Sequence, residues 1–241
     1  MKSAIAQYYP GDSALHRLDP RAKIVAVTAV AIALFTRESF LALAVYGAAV
    51  LAALLLSRVP LAWYWRGLRP ILWLIALTFV AQLLFVRGPA LVSLGPLRLT
   101  THGLETAAFL SLRLVVLVVA GSLLTLTTTP IALTDGLAWL ARPLRRLRVP
   151  TEELALMMTI ALRFIPTLLV EVETIMRALV PLLVPLFVVS FRRADELALA
   201  MEARCYRPGI VRTRLHPLRA GPDDWVLIAI VAGLIVLASL L

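Results

Sequence analysis

Apolar residues in this chain fall into long runs separated by short polar or basic segments, and the run lengths set the first reading. Residues 24–35 form a short apolar run, interrupted by Thr36-Arg37-Glu38. It reaches spanning length if the helix begins near Pro20, with Asp19 as N-cap and Pro20 at the first helical position. A second run, residues 39–56, rises roughly 27 Å as a helix, close to the thickness of a hydrocarbon core. One helix through both runs places Arg37 and Glu38 at mid-membrane, so the pattern predicts two antiparallel spans and a tight turn. Residues 57–69 carry Arg58, Trp63, Tyr64, Trp65, Arg66 and Arg69, the composition of an interfacial belt. A third span follows over residues 70–86. The Gly- and Pro-rich residues 87–103 predict an exposed loop, and a fourth span runs over residues 104–126.

Arg113 stands inside that fourth run. A lone Arg at mid-span costs about 2.5–3.5 kcal/mol on insertion scales, so it either snorkels to the outer interface or faces a packing partner. The residues leave both readings open.

From Pro130 to Asp223 the pattern changes. Charges recur among apolar residues and no clean charge-free run appears. After the basic stretch Arg142, Arg145, Arg146 and Arg148, Pro150 opens a helix with Thr151, Glu152 and Glu153 in its first turn, where acids suit the helix dipole. Leu154, Met157, Met158, Ala161, Leu162 and Ile165 then recur at three- and four-residue spacing, predicting an amphipathic helix. A second such helix is predicted over residues 181–204, and a last apolar run over 225–241. The fold class expected is an all-α integral membrane protein. It has about five transmembrane helices plus a cytoplasmic module of long amphipathic helices. The expected divisions are a four-span N-terminal domain (1–126), that module (127–223) and a C-terminal span (224–241).

Composition agrees. Apolar residues make up 61% of the chain and mean hydropathy is +0.91, far above an ordinary globular chain. The net charge of +10 resides mostly in Arg clusters between apolar runs. Such clusters set topology, and the aromatics form no stacking platform, so nucleic-acid binding is set aside. Thirteen Arg between residues 126 and 223, against only Arg37, Arg87 and Arg98 in the opposite loops, place the N-terminus and the amphipathic module in the cytoplasm.

The chemistry is mostly absence. With lysines only at Lys2 and Lys23 and no phosphate-loop motif, ATP hydrolysis is excluded. Cys205 is the single cysteine, and His16, His102 and His216 are far apart, so neither a disulfide nor a metal site is expected. The acidic groups Glu152-Glu153, Glu171 with Glu173, and Asp195-Glu196 lie on amphipathic helices beside arginines and read as solvated or paired faces. No carboxylate sits inside an apolar span, which argues against a proton-coupled or ion-coupled carrier. No catalytic residue and no cofactor is assigned.

Several segments together resemble the transmembrane T component (EcfT/CbiQ-like) of energy-coupling-factor (ECF) transporters. Residues 8–23 resemble the family's segment before the first span, and residues 124–130 its exit from the fourth. Residues 148–166 resemble its first coupling helix and residues 181–204 its second. The resemblance spans nearly the whole chain.

It implies a non-catalytic subunit of an ABC importer in the prokaryotic cytoplasmic membrane. Such a subunit joins two ATP-binding cassette ATPases to a small membrane subunit that binds a vitamin or metal ion. Each coupling helix ends, by this resemblance, in an Ala-Arg-Gly motif that docks an ATPase. Ala203 and Arg204 match the second motif, with Cys205 in place of glycine. Pro181, Leu182, Pro185, Leu186 and Phe187 are the expected surface for the substrate-binding subunit. Arg163, Pro166, Arg192, Arg193 and Glu196 are the expected coupling-helix residues. The first motif is missing: Met176 runs straight into Arg177, and no glycine occurs between Gly136 and Gly209. The expectation is a segment absent near Met176, with a chain break there. The rival readings are a self-contained secondary transporter or channel, and a membrane-embedded enzyme acting on lipid or isoprenoid substrates.

Overall fold

In the computed structural model, residues 8–86, 90–94, 97–143, 150–177, 183–207 and 220–240 are described. They divide into two compact units, one of Met1–Thr129 with Leu218–Leu241 and one of Pro130–Pro217.

The first unit opens with a single helical turn, α1 (Ala14–Arg17), and then α2 (Pro20–Thr36). Asp19 caps α2 by accepting the Arg21 N–H at 2.9 Å, with Pro20 in the first turn, as the sequence predicts. Arg37 and Glu38 mark the break after α2, and α3 (Phe40–Ser57) follows. α3 ends on Arg58, which takes a left-handed conformation (φ 55°) and donates its N–H to the Leu55 carbonyl. The Ser57 hydroxyl donates to the Leu54 carbonyl at 2.6 Å, so Tyr64 must be the donor in the 2.9 Å contact between the Tyr64 and Ser57 hydroxyls.

α4 (Leu61–Phe85) corrects the expected boundary between belt and span. Trp63, Tyr64, Trp65, Arg66 and Arg69 form its first turns, and the helix continues through Pro70. Within a membrane, neighbouring groups can satisfy the backbone that such a proline frees. The expected loop at 87–103 also differs. It contains an antiparallel hairpin, β1 (Ala90–Leu94) and β2 (Leu97–Thr100), pairing Val92 with Leu99 and Leu94 with Leu97. α5 (Thr101–Thr127) then starts three residues earlier than expected, capped by Thr100, whose hydroxyl accepts the Gly103 N–H at 3.0 Å.

The first unit's last helix packs with α2 and α3 and spans Pro222–Leu240; it is numbered α9, after the three helices of the second unit. Ala33, Leu34, Ala42, Leu43, Val116, Ala120 and Ala238 form the shared core of α2, α3, α5 and α9. The alanines matter because helices in lipid gain mainly from close packing, which small side chains permit. A second core at the other end of α3 joins Leu54, Val59, Tyr64, Leu123 and Leu126. Trp73, Leu74, Leu77 and Val80 on α4 are exposed, as a lipid-facing surface requires.

The second unit holds α6 (Pro130–Leu140), α7 (Thr151–Arg177) and α8 (Leu183–Ala203). Among the described residues, five helical stretches are long and apolar enough to cross a membrane: α3, α4, α5, α9 and Glu153–Thr174 of α7. The protein is thus an all-α multi-pass membrane protein apart, among the described residues, from one short hairpin. The pattern of apolar runs picks out α2 in place of α7. α2 has 17 residues, about 26 Å of helix, slightly short of the hydrocarbon thickness. The average hydropathy of α7 is high although its charged residues include Arg163, Glu171 and Glu173.

Candidate functional site

The α7–α8 pair carries most of the residues singled out in sequence. Its helices are joined by Arg193, whose Nη2 donates to Glu171 Oε2 at 2.6 Å. The two side chains are 31% and 27% exposed, so solvent screens the pair only in part. Pro166, Thr167, Val170, Glu171, Thr174 and Arg193 line one groove. Two expected coupling residues, Pro166 and Arg193, therefore come together. Glu171, read in sequence only as part of a charged face, is the partner of Arg193 that joins α7 to α8. Its spacing from Arg193 carries no local signal, because the two are 22 residues apart on different helices.

The other expected residues are spread out. Arg163 is exposed on α7. Arg192 and Glu196 form an exposed i,i+4 pair at 3.7 Å on α8, of a kind worth about 0.3–0.5 kcal/mol at most. Phe187 is exposed and stacks on Phe191, with ring centroids 6.2 Å apart. Pro185 and Leu186 are half-buried. Pro181 and Leu182 lie outside the described residues, as do Arg145, Arg146, Arg148 and His216.

At the end of α8 the sequence leaves the effect of Cys205 open, and the backbone answers it. Cys205 takes the left-handed conformation with φ 56°. Its N–H donates to the Glu202 carbonyl at 2.8 Å, and the Tyr206 N–H donates to the Met201 carbonyl at 2.9 Å. This pair of bonds is the Schellman ending that glycine favours. Cysteine reaches it at a cost of about 1–2 kcal/mol. Ala203, Arg204 and Cys205 are all exposed there. The Arg204 guanidinium thus stands at the negative end of a helix dipole, with its planar donor fork accessible.

Met176 and Arg177 are consecutive residues of α7, so the expected chain break is absent. Among the described residues no group of three or more His, Cys, Asp or Glu could hold a metal ion.

The profile of the family described as CbiQ: Cobalt transport protein matches residues 11–180 and 176–216. The chain is 48% identical to "Energy-coupling factor transporter transmembrane protein EcfT" of Thermosediminibacter oceani, covering 98% of this chain and 96% of that protein. It is 44% identical to the protein of the same name from Heliobacterium modesticaldum and 42% identical to that from Bacillus subtilis, with the same coverage in both cases. The first alignment runs over 257 positions, which exceeds the 241 residues of this chain by 16. At least 16 aligned positions therefore hold no residue of this chain. The two profile matches overlap at residues 176–180, the region where the sequence lacks a first docking motif.

Proposed function

The chain belongs to the EcfT/CbiQ family of transmembrane T components of ECF transporters, and from that premise we propose that it is the non-catalytic coupling subunit of such an importer. In this reading α7 and α8 are the cytoplasmic coupling helices. They transmit ATP-driven motion of two ATPase subunits to a small membrane subunit that binds a vitamin or metal ion. Ala203, Arg204 and Cys205 dock an ATPase. The apolar stretch with Pro181, Leu182, Pro185, Leu186 and Phe187 meets the substrate-binding subunit.

The observation that carries the reading is the end of α8: an exposed Arg204 held by a hydrogen-bonded left-handed turn at Cys205. A guanidinium presented this way suits a partner's carboxylates and carbonyls. Arg163 supports a cytoplasmic α7. It is exposed midway along the helix, and a lone Arg at mid-membrane costs about 2.5–3.5 kcal/mol.

Co-purification with the ATPases and the substrate-binding subunit tests this. The unmodified chain should retain both ATPases, and Arg204→Glu should reduce that retention by about tenfold or more, as loss of a charge-paired docking group predicts. Full retention and full ATPase activity in the Arg204→Glu complex would show that docking does not use this end.

A further inference from the structure

The chain leaves the first unit after Thr129 and returns to it at Leu218. One buried polar cluster holds residues beside both crossings. Lys23, in the first turns of α2, donates from Nζ to the Thr127 carbonyl at 3.1 Å and to the Thr128 hydroxyl at 3.4 Å. Asp224, in the first turn of α9, accepts the Asp19 N–H on Oδ1 at 2.7 Å and the Gly221 N–H on Oδ2 at 2.7 Å. Asp19 and Lys23 are one helical turn apart, with the Lys23 N–H donating to the Asp19 carbonyl at 3.2 Å. Lys23, Asp19, Asp224, Thr127 and Thr128 are all at least nine-tenths buried.

A buried ammonium or carboxylate is tolerated only where it is paired and hydrogen-bonded. Removing the Lys23 side chain strands the Thr127 carbonyl beside the first crossing, and removing the Asp224 carboxylate strands the Asp19 and Gly221 N–H groups beside the second. Asp19 and Lys23, one turn apart at the start of α2, bring the two sets of bonds together. A lysine at the last carbonyls of α5 is also favoured by that helix's dipole.

We propose that the start of α2 is a common anchor for both crossings, with Lys23 the positioning residue for the first and Asp224, through the Asp19 N–H, for the second. The geometric part stands on this chain alone; its consequence for transport rests on the coupling role proposed above.

Hydrogen exchange on the full chain in lipid nanodiscs tests the geometry, with Lys23→Met and Asp224→Asn as independent variants. Lys23→Met should speed exchange by about tenfold or more at residues 126–129 and Asp224→Asn at residues 221–225, while residues 42–50 of α3 stay as slow as in the unmodified chain in both variants. No acceleration at residues 126–129 in Lys23→Met, or none at residues 221–225 in Asp224→Asn, overturns the proposal. In the assembled transporter, uptake per ATP hydrolysed should fall by about fivefold or more in Lys23→Met, the size of a typical coupling energy. Unchanged uptake per ATP in a Lys23→Met protein whose residues 126–129 exchange faster overturns the positioning role. If the unmodified chain supports no ATP-driven uptake, the coupling reading fails and the exchange result is unaffected.

Discussion

Arg113 Nη2 donates to the backbone carbonyl of Arg37 at 2.9 Å, tying the middle of α5 to the turn between α2 and α3. Its guanidinium carbon also lies 4.6 Å from the Phe109 ring centroid and 5.2 Å from that of Phe35. Arg37 in turn donates to the Ser239 carbonyl at 2.6 Å, near the end of α9. Arg113 is 6% exposed, so of the two sequence readings the packing partner prevails. Arg113→Lys keeps the charge but loses the planar stacking, and should destabilise the bundle by about 1–2 kcal/mol. Thermal unfolding in nanodiscs measures this; an unchanged midpoint would mean that the ring contacts contribute nothing.

Cys205→Gly should stabilise the end of α8 by about 0.5–1 kcal/mol, because glycine adopts the left-handed conformation without the Cβ penalty but loses more chain entropy on folding. Cys205→Val should act in the opposite direction. Exchange of the Cys205 and Tyr206 amides reads both, and equal protection in the two variants would contradict the left-handed ending.

Cys205 is the only cysteine and is exposed, which makes it a reporter of docking. A maleimide should modify it readily in the isolated chain and about tenfold more slowly with the ATPases bound, because thiol reactivity follows access. Equal rates in the two states would place ATPase contact elsewhere.

The Glu171–Arg193 pair should show a coupling energy of about 0.5–1 kcal/mol in a double-mutant cycle with Glu171→Gln and Arg193→Gln, modest because solvent still reaches both side chains. Unfolding measurements on the four proteins give the value, and a coupling near zero would mean that the bond does not hold α7 to α8.

Much of the fold was legible because its causes are local. The Asp19-Pro20 cap of α2, the break at Arg37-Glu38, and the acidic first turn of α7 each follow from a few adjacent residues and from helical periodicity. The span lengths follow from bilayer thickness. Short-range signals misled where tertiary surroundings override them: the third helix does not begin at Pro70 but at Leu61 and runs through it, and the Gly- and Pro-rich stretch after α4 pairs its backbone as a hairpin. The ambiguity between α2 and α7 has the same origin, since average hydropathy records how apolar a helix is and not what its polar residues face.

By itself the sequence determined that this is a multi-pass helical membrane protein of a recognisable family, with Arg204 at the end of an amphipathic helix. Only the tertiary structure decided which distant polar groups meet. Lys23 finds Thr127 across 104 residues, Asp19 finds Asp224 across 205, and Arg193 finds Glu171 on another helix. Propensity and periodicity act over a turn or two of chain, whereas a buried charge is satisfied by whichever partner the packing of helices brings within hydrogen-bonding distance.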